Sequence, residues 1–347
     1  MRATIFNGPR SIGVGDRPDP VIDAPTDAVV RVVFGCVCGS DLWYYRGQSP
    51  HTLGPIGHEF IGVVEEVGAD CRGIKKGDLV IAPFTYSDGS CAHCRAGVTS
   101  QCMQGGPFGN RGIDGGQGQA VRVPLAGSTL VRVPGSGHSD ETLRSLLSLS
   151  DVMSTGHHAA VSAGVKPGSV VAVVGDGAVG LCGVVAANRL GAARIIALSR
   201  NPARQQLARS FGATDVIAER DDAAVQAVKE LTDGVGVDAA LECVGTGQSI
   251  RTAMAIARPG STVGIVGAPH DVDPSFIETV VFRNIGLRGG IAPARSYIPE
   301  LLEDVLEDRI NPGRVFDFET DLDGVAEAYA AMDERRAIKS LLRISAI

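Results

Sequence analysis

From about residue 169 the chain alternates short Val- and Ile-rich runs with stretches long enough for crossover helices. That alternation constrains the fold more than any other feature, because it is the signature of βαβ units building a parallel sheet. Six strands are expected, at Ser169–Val174, Arg194–Leu198, Thr214–Ile217, Val237–Cys243, Ser261–Gly267 and Ile285–Gly289. Asn201 before Pro202 reads as a helix cap with proline at the first helical position, and Asp221 precedes another helix. The earlier part is patterned differently. Runs such as Ala28–Phe34, Ile61–Val67 and Leu79–Ala82 alternate with Gly/Pro turns, which predicts a β-rich domain. Helices return at Tyr297–Asp308 and Val325–Asp333, followed by a strand, Lys339–Ile344, that can fold back onto the first domain.

Composition excludes several classes of function. A chain of 347 residues has room for about two domains at ~150 residues each. Its 45 glycines point to many tight turns in a folded chain. The net charge of −7, without a long basic run, argues against nucleic acid and anionic lipid as partners. The longest apolar candidate, Val170 to Asn188, is interrupted by Asp176 and by glycines, so no membrane span is expected. The first residues lack the apolar core of a signal peptide, and a cytoplasmic protein is the expectation. Six of the eight cysteines fall at positions 36, 38, 71, 91, 94 and 102, a clustering that suggests metal rather than a disulfide framework.

Gly175-Asp176-Gly177-Ala178-Val179-Gly180 follows an apolar strand and opens a helix, the context in which Gly-x-Gly-x-x-Gly binds a dinucleotide. Gly175 permits the tight turn, Gly177 lets the backbone approach the pyrophosphate, and Gly180 lets helix pack on strand. The next strand ends Ala197-Leu198-Ser199-Arg200, where NAD-binding domains place an acid for the ribose 2′-hydroxyl. Ser199 can donate a hydrogen bond to a 2′-phosphate, while Arg200 can stack on adenine or form a charge-assisted pair, with Arg204 one turn on. The expectation is NADP(H) in preference to NAD(H).

Cys38-Gly39-Ser40-Asp41 and Gly57-His58-Glu59-Phe60-Ile61-Gly62 supply a thiolate, an imidazole and a carboxylate, all of which zinc accepts. With the cysteines at 91–102, the cofactor glycines and Ala337-Ile338-Lys339, these motifs make the chain resemble the zinc-dependent medium-chain alcohol dehydrogenases along essentially its whole length. The resemblance implies an α/β protein of two domains. A GroES-like, β-rich catalytic domain would span 1–152 and 290–347, and a Rossmann cofactor domain with a doubly wound parallel sheet would span 153–289. It implies a catalytic zinc on Cys38, His58 and Asp151, with Glu59 as an exchangeable ligand or as a partner of the ligands. Asp88, Cys91, Cys94 and Cys102 match a structural zinc site whose first cysteine is here Asp88; the rival reading is an empty lobe with three reduced thiols.

The implied reaction is reversible hydride transfer between an alcohol and the nicotinamide ring. Zinc would acidify the alcohol, as it lowers the pKa of water from ~15.7 to ~7. Ser40 matches the hydroxyl that passes the alcohol proton outward. Many members place a histidine where this chain has Trp43, so the proton would leave through cofactor ribose, water or a nearby histidine such as His51, and Trp43 would wall the pocket or fill core. Phe84 and Tyr86 fall where the family lines its substrate cleft, which favours a small, moderately apolar alcohol, ketone or aldehyde. His157 is a further pocket candidate, and Lys339 matches a basic position near the pyrophosphate. A short, glycine-rich segment between Cys102 and Ala120 resembles the tetrameric members, so a homotetramer is expected over a dimer. Three alternatives remain: an NAD-dependent polyol or amino-alcohol dehydrogenase of the same fold; a zinc-free quinone-type reductase, opposed by Cys38, His58 and Asp151; and a nucleotide-binding structural or regulatory protein without turnover.

Overall fold

The computed structural model describes residues 1–110, 112–269, 272 and 277–347. The chain forms two compact units, Met1–Asp151 with Pro293–Ile347, and Val152–Ala292.

The second unit is built on six parallel strands. Their order across the sheet is Asp215–Ile217, Arg194–Leu198, Val170–Val174, Val237–Glu242, Ala257–Ile265 and Gly286–Gly289. In chain order this reads 3-2-1-4-5-6, the doubly wound arrangement. Helices pack on the strands because Val171, Ala172, Ile196, Ala240 and Val263 are buried and must be covered on both faces. The central Val170–Val174 strand lies where the winding reverses, and the glycine loop leaves its carboxyl end into the Ala178–Arg189 helix. Gly180 is required there, because a Cβ would stand 2.0 Å from the Gly175 carbonyl oxygen. Gly175 itself adopts a φ of +122° that suits glycine alone.

Two local expectations are revised. Asp221 does not precede its helix but is the first residue of Asp221–Leu231, with Arg220 at the cap. The fifth strand begins at Ala257 rather than Ser261, because Val237 pairs with Ala257 and the register then shifts across Pro259 and Gly260 before regular pairing resumes. Asn201 caps Pro202–Ser210 through its side chain, which accepts from the Ala203 and Arg204 amides.

In the first unit the Ala28–Cys36 strand is the hub of a largely antiparallel sheet. It pairs with Phe60–Val67, Ala120–Val123 and Lys339–Arg343. Leu79–Ala82 extends the sheet beyond Phe60–Val67, and Phe316–Thr320 runs parallel to Lys339–Arg343. Val30, Val32, Phe60, Val64, Val80 and Val121 form one core beneath it, and Phe6, Leu42, Ile56, Tyr329 and Leu342 form a second. The register positions the chemistry. Gly35 pairs with Phe60 and Cys36 with Leu341, so Cys38, His58, Glu59 and Lys339 emerge together at one end of three adjacent strands. Among the described residues, no helix is long and apolar enough to cross a membrane.

Candidate active site

Cys38 follows the end of the hub strand, and its amide donates to Asp41 Oδ2 at 3.0 Å. That local turn orients the thiol and brings the Asp41 carboxylate beneath it. His58 and Glu59 stand immediately before the Phe60–Val67 strand. Asp151 reaches the same point from the turn after Asp140–Ser148, which is held by Ser150 Oγ on the Phe60 carbonyl at 3.3 Å and by the Phe84 amide on the Ser150 carbonyl at 3.1 Å. One donor atom from each of Cys38, His58, Glu59 and Asp151 lies within 4.8 Å of the others. Cys38 Sγ is 3.4 Å from Asp151 Oδ2, and His58 Nε2 is 3.4 Å from the same oxygen.

These residues fit a zinc ion by two observations. Thiolate, imidazole and carboxylate are zinc's own donor types, and Glu59 Oε2 is buried with no hydrogen-bond partner among the described residues. An orphaned carboxylate oxygen at a fully buried site is costly unless something positive meets it. The ring of His58 is set from behind: its Nδ1 lies 3.4 Å from Asp41 Oδ1, leaving Nε2 toward the cluster. Asp41 is in turn buried on Gln117 Nε2 at 3.3 Å, and Gln117 accepts from the Tyr329 hydroxyl at 3.1 Å. A carboxylate behind a histidine ligand fixes the ring and raises its basicity. The Asp in Cys-Gly-Ser-Asp, three residues after the thiol, was the sequence signal for this role.

The electrostatics favour a cation. Burial pushes the Cys38 thiol up to about 11, with the Asp151 and Glu59 charges adding to it. For His58, burial acts downward, yet the charges of Asp41 and Cys38 and the Asp151 contact raise it well above its ordinary value. Burial likewise raises Glu59, against the pull of Lys339.

Lys339 is where the structure departs from the expectation. It is 1% exposed, and its Nζ donates to Glu59 Oε1 at 2.7 Å and to the Val37 carbonyl at 3.1 Å. Its charge is therefore spent on Glu59, and the assignment to the pyrophosphate is withdrawn. Ser40 begins the short Asp41–Tyr45 helix without a side-chain cap bond, and Trp43 is half-buried on that helix. Phe84 packs edge-on to His58, ring centroids 6.3 Å apart. A pocket beside His58 is lined by Asp41, Tyr44, His51, Phe108 and Asn110, and His51 stacks on Tyr44 with centroids 4.4 Å apart.

The lobe gathers Asp88, Cys91, Cys94 and Cys102, again with donor atoms within 4.8 Å. Asp88 Oδ1 accepts from the Ser90 and Cys91 amides at 2.7 and 2.9 Å, which hold its carboxyl down at about 2. Amides of Met103 and Cys94 bring the Cys91 thiol down to about 7. The donor set fits a second zinc, with the carboxylate in the place of a thiolate.

In the second unit, Gly175, Gly177, Ala178, Val179 and Gly180 form the loop and first helical turn described above. Ser199 and Arg204 are both buried against Asp176, whereas Arg200 is exposed. His157 is 1% exposed within the Val152–Ser162 helix.

Comparison with known proteins gives this geometry its family. Residues 24–135 match the alcohol dehydrogenase GroES-like domain, and residues 178–307 match the zinc-binding dehydrogenase domain. The chain is 33% identical to a zinc-type alcohol dehydrogenase B of Aspergillus flavus, over 99% of this chain and 81% of that protein. Among solved structures it resembles the alcohol dehydrogenase TADH of Thermus sp. ATN1, at a TM-score of 0.90 and 32% identity over 99% of this chain and 100% of that one. A zinc-binding dehydrogenase of Sinorhizobium meliloti 1021, solved bound to NADP, aligns at a TM-score of 0.84 and 25% identity over 99% of this chain and 98% of that one. The chain belongs to the zinc-dependent medium-chain dehydrogenase family and is an oxidoreductase of the zinc-type alcohol dehydrogenase kind.

Proposed function

We propose that the protein transfers a hydride between a small, moderately apolar alcohol, or the matching ketone or aldehyde, and NADP(H). The observation that carries this reading is the buried cluster of Cys38, His58, Glu59 and Asp151 in a chain that also bears a dinucleotide loop. Cys38, His58 and Asp151 would hold the catalytic zinc, with Glu59 Oε2 facing it. When bound, zinc supplies Lewis acidity that eases proton loss from an alcohol and polarises a carbonyl in the reverse direction. Asp41 keeps His58 Nε2 directed into the site. Ser40 takes the alcohol proton at its hydroxyl, and Phe84 provides an apolar wall that excludes water from the reacting carbon. Trp43 lines the same cleft.

Two features support NADP(H). The strand ending at Leu198 carries no carboxylate at its end, and Arg200 stands exposed with no ion pair among the described residues. The Sinorhizobium relative that binds NADP agrees with this. The reading extends to a cytoplasmic homotetramer with a zinc-loaded lobe; that none of the eight cysteines is paired in a disulfide agrees with a reducing compartment and leaves the lobe sulfurs available to metal.

Initial rates with NADPH and NADH in parallel, across aldehydes and ketones graded in size and polarity, test the reading. Turnover mainly with NADPH, and a loss of that preference in Arg200→Asp, is expected. Comparable or better rates with NADH would overturn the cofactor assignment.

A further inference from the structure

We infer that Asp176 is the specificity-determining residue of the cofactor site, working against the 2′-phosphate. The inference rests on the reading that this loop and the Ser199–Arg204 segment receive the adenosine ribose of a nicotinamide dinucleotide, and Asp176 acts there against the preference for NADP(H). Asp176 lies between the first two glycines of the loop and is 9% exposed. Its Oδ2 accepts from Ser199 Oγ at 2.9 Å. Its Oδ1 lies 3.4 Å from Arg204 Nη1, which also donates to the Asp176 carbonyl at 3.2 Å. One carboxylate therefore holds both of the buried groups that the sequence offers to the phosphate.

The backbone fixes this arrangement. The Ser199 amide donates to the Ile217 carbonyl at 2.9 Å, Gln205 Nε2 donates to the Ser199 carbonyl at 2.7 Å, and the Arg204 amide is tied to the Asn201 cap. The site lies at the carboxyl ends of the first two strands, where a sheet of this order receives the adenosine ribose. Domains selective for NAD place an acid at the end of the second strand; here the acid comes from the first loop to the same neighbourhood. It can accept a hydrogen bond from a ribose 2′-hydroxyl. Toward a 2′-phosphate it is a like charge, and it also neutralises Arg204. Among the described residues, Arg200 is the cation of this group that has no ion pair.

Removing the Asp176 charge while keeping its shape would take one charged partner from Arg204 and remove the repulsion toward a 2′-phosphate. Asp176→Asn retains an oxygen to accept from Ser199. Equilibrium titration of the whole protein with NADPH and with NADH, followed by cofactor fluorescence, is the test. In Asp176→Asn the ratio of the two dissociation constants should move toward NADPH by on the order of tenfold, the size of one charge-assisted contact. Asp176→Ser should shift the same way, and Asp176→Glu should stay within about twofold of the wild type. These two variants keep the test decisive if Asp176→Asn folds poorly. A ratio unchanged in both neutral variants, or moved toward NADH, would overturn the inference. Tighter binding of NADH by the wild-type protein would instead overturn the NADP(H) reading, since the inference concerns only the direction of the shift on charge removal.

Discussion

Lys339 and Glu59 carry opposite charges at 1% and 0% exposure, 2.7 Å apart. At such burial neither ion is solvated by water, so each depends on the other. Breaking a pair of this kind is expensive because it strands a charge, even where the intact pair adds little net stability. Lys339→Met is therefore expected to destabilise the protein by about 3–5 kcal/mol in denaturant unfolding. A loss below about 1 kcal/mol would mean that Glu59 is held neutral or finds another partner. The same residue marks a limit of sequence reading. Cys38, His58 and Glu59 are recognisable from local motifs, because each motif carries its own ligand chemistry. The partner of Lys339 lies 280 residues away in the chain, and only the pairing of Cys36 with Leu341 brings them together. Asp176 was hidden differently: a residue between two glycines reads as loop, and nothing local shows that its side chain turns toward Ser199.

At the scale of elements, hydrophobic patterning located the central strands most clearly, because Val170–Val174, Arg194–Leu198 and Val237–Glu242 are mostly buried apolar runs, whereas the outer Asp215–Ile217 and Gly286–Gly289 are short and partly exposed. The ends were less legible. Ala257 begins its strand before Pro259 and Gly260, residues that read as a turn, because cross-strand pairing with Val237 outweighs their local preference. Helix termini offer a pH test. Asp333 closes the Val325–Asp333 helix, where a negative charge opposes the helix dipole. It is gripped by Arg10 and by Arg46, whose Nε is 2.5 Å away. Burial alone would raise the Asp333 carboxyl, but the hydrogen bonds and charges of Arg46 and Arg10 hold it below its ordinary value. A folded value below the unfolded one of ~3.9 means the stabilisation is complete above that pH and is lost as pH falls through the folded value. Asp333→Asn should therefore unfold at a lower temperature than the wild type at pH 7, with the gap closing below about pH 4. A gap constant with pH would show that the arginines act through packing alone. The cysteine lobe is an element of another kind. Its helix, Ala92–Arg95, is a single turn with almost no core of its own, so metal is the natural source of its order. Metal analysis is expected to give two zincs per chain, falling to one in Asp88→Ala with the Cys38 site still loaded. One zinc in the wild-type protein would identify the lobe as a set of free thiols.

For the whole molecule, the chain distributes its chemistry over two units that its sequence already separates by pattern. The β-rich unit carries every residue of the Cys38, His58, Glu59 and Asp151 cluster, and also the lobe. The parallel-sheet unit carries the glycine loop, Ser199, Arg200 and Arg204. Size, charge, the clustered cysteines and the Gly175–Gly180 motif were enough to direct attention to metal and cofactor rather than to nucleic acid or membrane. What they could not convey is the depth of this cluster, where Glu59 and the neighbouring Asp41 are nearly or fully buried and Glu59 Oε2 has no hydrogen-bond partner among the described residues. Hydride transfer is expected to depend on zinc held by this cluster. That dependence is tested most directly by measuring NADPH-dependent carbonyl reduction on protein stripped of metal and then titrated with zinc, beside Asp151→Ala treated identically. Stripped wild-type protein is expected to be inactive and to regain turnover with the zinc equivalent that Asp151→Ala fails to hold, the variant remaining at least about 100-fold slower, as loss of a group acting on the transition state implies. Full activity in the stripped protein, or an unimpaired Asp151→Ala, would contradict it.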